Sequence, residues 1–263
     1  METYSRRLAR KAIEGLARTG LWKESEQALI RSASSYWEDP TANHFATNSH
    51  WCRDVGIEST VWNQLGKPHL AILQRHMKAI GKECERERIL EWGCGGGANA
   101  IHFASSAKEF VGADVSRASL AECKSQLEQR GHANFSLIHI DIAEPEQAVR
   151  HLLGTCDVFL CTYVFELLPS PEYGTRVLKL AYELLQPGGC AIIQIKYQTH
   201  DRRTQPRRWL YQRNLANMTT YPIDEFWQIA SRVGFSPAFV TLLPKDLLVE
   251  DERYAYFVLD KRG

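Results

Sequence analysis

The sequence predicts an α/β protein: a doubly wound, seven-stranded sheet, mostly parallel with a C-terminal antiparallel hairpin, preceded by an N-terminal helical lid. Three observations carry this expectation. Seven short apolar, partly β-branched runs begin only at Arg88. Helical segments of ordinary length separate the first five runs, which calls for parallel strands joined by right-handed crossovers. The last two runs are linked by only about ten polar-rich residues, which suits an antiparallel pair.

Taken in order, residues 1–87 lack strand-like runs and read as helices joined by loops, a lid or substrate segment ahead of the main domain at 88–263. The segment starts with a basic amphipathic stretch, Arg6, Arg7, Arg10 and Lys11 against Leu8, Ile13 and Leu16. It continues through "SYWEDPTANHFATNSHW" to a helical stretch from Pro68 to Ile80. The strands then read "RILEWG", "EFVGADVS", "FSLIHIDIA", "CDVFLCTYV", "CAIIQIKY", "FSPAFVTLL" and "YAYFVLDK". An insertion at about 199–222, "THDRRTQPRRWLYQRNLANMTTYP", is basic, aromatic and too long for a simple connection.

Composition narrows the function. In 263 residues, 44% are hydrophobic, and 32 Lys and Arg balance 31 Asp and Glu, so no global charge points to nucleic acid or an acidic membrane. The seven cysteines are scattered, several sit inside apolar runs and no pair has CxxC spacing. They read as reduced, mostly buried thiols of a cytoplasmic protein. No stretch has signal-peptide character or reaches transmembrane length, so a soluble protein is expected. The acids and histidines show no ligand-like spacing, so no metal is expected.

The densest signal is "EWGCGGGANA", with four glycines, Gly93, Gly95, Gly96 and Gly97, in five positions between a strand and a helix. Such density is tolerated where the backbone takes positive φ and a ligand approaches without a Cβ in the way. A strand, a glycine-rich turn and a helix form the nucleotide cradle of doubly wound sheets. Asp114 closes the next strand at the offset of a ribose-binding carboxylate. Glu91 stands just before the glycines, where a pyrophosphate would be disfavoured and a positively charged ligand suited.

On these residues the chain resembles the class I S-adenosylmethionine-dependent methyltransferases over roughly residues 85–261. Glu91, Gly93, Gly95 and Gly97 match the family's first motif, with Cys94 as a small residue fitting the turn. Asp114, beside Val115, matches the acid that bonds both ribose hydroxyls. Asp141, with Ile142 beside it, matches the third-strand acid near the adenine. The fourth-strand segment "CDVFLCTYVFELLPSP" matches at Glu166, while Leu167 stands where the family commonly has His; "LLQPGGCAIIQ" matches the Pro-Gly-Gly turn and fifth strand. The resemblance implies an enzyme that binds S-adenosylmethionine and releases S-adenosylhomocysteine.

Methyl transfer is an in-line displacement helped most by alignment, and a hydroxyl or ammonium acceptor needs one positioned base. The acceptor side is expected on the lid (Tyr36, Trp37, His44, His50, Trp51), the strand ends (Tyr163, Glu166, Lys196, Tyr197) and the insertion (His200, Arg207, Arg208, Trp209, Tyr211). Tyr163 also counts among the cofactor contacts. Candidate bases are His50, ranked first, then Glu166, His44 and His200. Clustered aromatics fit a small-molecule or glycan-type acceptor, and the arginines an acidic group on it. "TYVF" after the fourth strand lacks the Asp/Asn-Pro-Pro-Tyr pattern of many nitrogen-directed relatives, which favours oxygen. Alternatives are methylation of RNA, methylation of a small amine, and a non-catalytic scaffold. DNA is not expected; the basic N-terminal helix offers a membrane or carrier dock.

Overall fold

The computed structural model describes Gly15 and residues 23–39, 50–52, 58–82, 86–242 and 253–263. The basic N-terminal stretch, other than Gly15, and His44 lie outside the described residues. The helices are α1 (Glu26–Glu38), α2 (Ser59–Trp62), α3 (Gly66–Ala79), α4 (Ala100–Phe103), α5 (Arg117–Gln129), α6 (Pro145–Val149), α7 (Pro171–Leu184), α8 (Tyr211–Asn214) and α9 (Ile223–Val233). The strands are β1 (Arg86–Trp92), β2 (Ala107–Asp114), β3 (Phe135–His139), β4 (Cys156–Cys161), β5 (Leu185–Lys196), β6 (Ser236–Leu242) and β7 (Tyr254–Asp260). Each of the seven apolar runs lies on a strand. None of the described helices is long and apolar enough to cross a membrane.

The sheet order is β3-β2-β1-β4-β5-β7-β6. The first five strands are parallel to their neighbours, and β7 slots between β5 and β6 antiparallel to both. The chain's crossovers reverse direction between β1 and β4, and ligands of such sheets bind outside the strand C-termini at that switch point.

Strand alternation divides the core into two layers. Leu90, Phe159 and Cys161 face one cluster, with Leu29 of α1, Val177 of α7 and Phe226 of α9. Ile89, Val158 and Leu160 face the other, with Leu73 of α3, Phe103 of α4 and Leu127 of α5. Central parallel strands covered on both faces read as nearly continuous apolar runs, as β4 does.

Local signals set the helix starts. Ser25, Ser116 and Ser170 cap α1, α5 and α7 by accepting the N–H groups of Ala28, Ser119 and Tyr173. Pro171 at the first turn of α7 costs no hydrogen bond there. Six described cysteines are free thiols, five of them buried.

Candidate active site

A cleft partly open to solvent lies at the C-terminal ends of β1, β2 and β4. Its lining falls into two chemical parts. One is polar: Glu91, the glycine turn, Asn99, Asp114, Thr162, Tyr163 and His50. The other is apolar, with Trp37, Ile142, Leu168, Pro169, Tyr173 and Tyr211 prominent.

The glycine turn is shaped by backbone demands. Gly93 has φ +76°, and a Cβ there would lie 2.3 Å from Val164 Cγ2. Any side chain would therefore strain the backbone and fill the cleft wall. Asp114 holds the turn in place: Oδ2 accepts the Gly95 N–H at 2.9 Å and Oδ1 accepts the Ser116 N–H at 2.8 Å. Ser116 caps α5, so Asp114 faces the cleft and is not the helix cap. Its carboxylate oxygens still have lone pairs for ribose hydroxyls. Burial raises its pKa, opposed by those two backbone hydrogen bonds.

Glu91 is buried at the end of β1. Asn99 Nδ2 donates to its Oε1 at 2.7 Å, and its Oε2 has no hydrogen-bond partner among the described residues. Burial pushes its pKa up to about 8, with the nearby charge of Asp114 adding to the shift and Asn99 opposing it. A buried carboxylate with an open lone pair beside a turn that leaves room for a ligand is the donor set a cationic cofactor needs. The residues present therefore fit S-adenosylmethionine.

Cys94 also lines the cleft, and its thiol is held well above its ordinary pKa by a hydrogen bond with Cys123 and by burial, so it stays neutral. Val115 and Ile142 add apolar lining. Gly97, at φ +92°, packs against Cys123 of α5 rather than lining the cleft. Asp141 lies on a separate shallow surface depression, where Oδ1 accepts the Ala143 N–H at 2.8 Å.

The candidate bases separate. His50 lines the cleft, its ring 4.8 Å from the Tyr163 ring in an edge-on contact. It sits at φ +51°, and its carbonyl accepts Trp62 Nε1 at 2.5 Å. The same segment lies on the glycine turn: a Cβ on Gly96 would meet the His50 carbonyl oxygen at 3.0 Å. Glu166 is buried in a 3-10 turn after β4, where its carbonyl accepts Met218 N–H, and it does not line the cleft. His200 is exposed on the insertion and does not line it either.

The insertion closes over α1. Trp37 Nε1 donates to Tyr211 OH at 2.8 Å, and Tyr211 OH donates to the Leu167 carbonyl at 2.7 Å. Leu210 N–H donates to Glu24 and Glu24 N–H to the Arg208 carbonyl, both at 2.9 Å. Arg208 pairs with Glu172 and Arg207 donates to Asn214, and neither lines the cleft. An acidic group on the acceptor has no support from these two arginines. Asn99, His69 and Thr162 were not foreseen. Of these, only Asn99 had a local signal, its place at the end of the glycine motif.

Among the described residues, His76, Cys190 and Asp260 bring three potential metal-ligand atoms within 4.8 Å. His76 Nε2 and Asp260 Oδ1 already form a hydrogen bond at 2.7 Å there.

A sequence profile described as a methyltransferase domain matches residues 62–238. The chain belongs to that family, and with this sheet and cleft it is a class I S-adenosylmethionine-dependent methyltransferase. An uncharacterised Rickettsia prowazekii protein is 24% identical over 212 residues, covering 80% of this chain and 36% of that protein. A ubiquinone biosynthesis O-methyltransferase of Acinetobacter baylyi is 28% identical over 103 residues, 39% of this chain and 41% of that enzyme. The chain thus spans well under two thirds of these relatives. Magnesium protoporphyrin IX methyltransferase from Synechocystis, solved with bound S-adenosylmethionine, superimposes with a TM-score of 0.60 at 16% identity, covering 91% of this chain and 98% of that one. The Burkholderia thailandensis 1,6-didemethyltoxoflavin-N1-methyltransferase gives 0.58 at 16% identity, covering 90% and 89%.

Proposed function

We propose that this methyltransferase acts at an oxygen of a small-molecule acceptor with a flat, apolar body. The observation that carries the reading is the aromatic wall of the cleft, whose polar tips are already committed to the protein. Tyr173 OH donates to the Ile142 carbonyl at 2.7 Å, and the Trp37 N–H and Tyr211 OH are bonded as described. What remains to face a ligand is ring surface, which suits an apolar acceptor better than a glycan.

S-adenosylmethionine, when bound, supplies an electrophilic methyl group on a positively charged sulfur. Glu91 would neutralise its positive charge and Asp114 would hold its ribose hydroxyls, while Trp37 and Tyr211 wall the apolar part of the cleft. His50 takes the acceptor's proton, since it is the histidine that lines the cleft among the described residues and a neutral imidazole has a free nitrogen to accept it. The name of the Acinetobacter relative supports oxygen as the attacked atom. Free, buried thiols support a reducing compartment, the cytoplasm.

The test is a screen with methyl-labelled S-adenosylmethionine against hydroxylated aromatic and lipophilic metabolites, small amines, glycans and RNA. Turnover of a hydroxylated apolar compound is expected, and His50→Ala should lower it about a hundredfold or more while S-adenosylhomocysteine still binds. Methylation confined to amines, glycans or RNA overturns the acceptor reading, and near-normal turnover by His50→Ala removes the base.

A further inference from the structure

The polar side of the cleft continues as a buried chain of side chains that reaches the far layer of the core. Asn99, 7% exposed, joins three elements. Its Nδ2 donates to Glu91 Oε1 of β1 at 2.7 Å and to Thr162 Oγ1 beyond β4 at 2.9 Å. Its Oδ1 lies 2.7 Å from Nδ1 of His69 on α3, and His69 Nε2 lies 3.2 Å from Tyr256 OH on β7. His69 is 2% exposed and Tyr256 1%.

Donor and acceptor rules give the chain a direction. With the cationic cofactor bound, Glu91 is ionised and only accepts, so Asn99 turns its amide nitrogen toward Glu91 Oε1 and its carbonyl oxygen toward His69. That oxygen only accepts, so His69 carries its proton on Nδ1, and the Nε2 of the neutral ring accepts from Tyr256 OH at 3.2 Å, a shorter contact than the 3.5 Å from that hydroxyl to Tyr163 OH. Hydrogen bonds then run from Tyr256 through His69 and Asn99 to Glu91. Close seating of α3 makes this reach: a Cβ on Gly66 would lie 2.7 Å from the Ala98 carbonyl oxygen and 3.0 Å from Asn99 Cα. Glycine at that point lets the helix lie against the turn, with His69 one turn further on.

Resting on the methyltransferase reading above, we propose that His69 is a positioning residue for the cofactor: through Asn99 it fixes Glu91 in the orientation that meets the cofactor's positive charge. The chain's motif acid is thereby aimed by a side chain outside the glycine motif, on the opposite layer of the sheet from the lid helix α1. His69 does not line the cleft.

The experiment measures S-adenosylmethionine binding by calorimetry on the full chain and on His69→Ala, His69→Asn, His69→Gln, Asn99→Ala and the His69→Ala/Asn99→Ala pair, each checked for folding by circular dichroism. His69→Ala should weaken binding by about tenfold or more. His69→Asn, whose amide nitrogen replaces Nδ1, should recover most of the loss, whereas His69→Gln, whose amide matches Nε2, should not. The double variant should bind no worse than Asn99→Ala alone, because both remove one linked contact. Nitrogen-resolved NMR of the wild-type ring with S-adenosylmethionine bound should show the neutral tautomer protonated at Nδ1, a readout that needs neither variant nor turnover. Wild-type affinity in a folded His69→Ala variant, independent losses in the double variant, or a ring protonated at Nε2 overturns the proposal. Wild-type protein that fails to bind S-adenosylmethionine overturns the methyltransferase reading itself, and the positioning role falls with it.

Discussion

Raising the pH from 6 to 8 should tighten S-adenosylmethionine binding, and the size of the effect follows from Glu91. Without cofactor its carboxyl titrates at about 8. About one molecule in a hundred is then ionised at pH 6 and about half at pH 8. A cationic ligand selects the ionised form, so affinity should rise about fiftyfold across that interval, or about 2.3 kcal/mol. Asp114 faces the same space from β2 and its pKa is also raised, adding in the same direction. The thiols of Cys94 and Cys161 are held well above their ordinary range and remain neutral. Calorimetry in buffers of different ionisation enthalpy measures both the affinity and the proton released on binding. Glu91→Gln should bind more weakly at pH 8 and lose most of the pH dependence, which separates Glu91 from Asp114 and His50. A flat wild-type profile without proton release would refute the charge assignment.

The same carboxyl sets a stability trend. Its folded pKa lies above the unfolded value, so the cofactor-free fold holds the proton more tightly and loses stability as pH rises from about 4.5 to about 8. Thermal unfolding should show this decline in the wild type and a shallower one in Glu91→Gln. Gly93→Ala combines a φ of +76° with a Cβ 2.3 Å from Val164 Cγ2. It should cost about 2 to 4 kcal/mol and abolish detectable cofactor binding; a variant melting and binding like wild type would contradict the geometry. Asp114→Ala frees the Gly95 and Ser116 amides and should weaken S-adenosylhomocysteine by about 1.5 to 3 kcal/mol, read by calorimetry. Tyr211→Phe leaves the buried Trp37 N–H without its acceptor and should lower stability by about 1 to 3 kcal/mol in denaturant unfolding.

Much of the architecture is written locally. The runs of the central strands β1, β4 and β5 are apolar because these strands are covered on both faces, and that pattern needs no partner to be read. The glycine turn is equally local, since positive φ and close approach are properties of those few residues. Glu91 and Asp114, each ending a strand beside that turn, were legible for the same reason. A motif match locates Glu166 along the chain but does not say which way its side chain points; it is buried in the 3-10 turn after β4 and does not line the cleft.

The sequence by itself determined the doubly wound fold class, the glycine turn and the acids beside it, because periodicity and turn chemistry act over a few residues. Tertiary structure alone decided that α1 and the insertion, both expected on the acceptor side, are tied to each other by the hydrogen bond of Trp37 to Tyr211, 174 residues apart. It also decided that His69 and Tyr256, 187 residues apart, stand behind Glu91 in one hydrogen-bonded line. Such contacts join residues whose neighbours in the chain carry no trace of the partner. They exist only once the sheet has brought β1, β4 and β7 into register and both helical layers have packed against it.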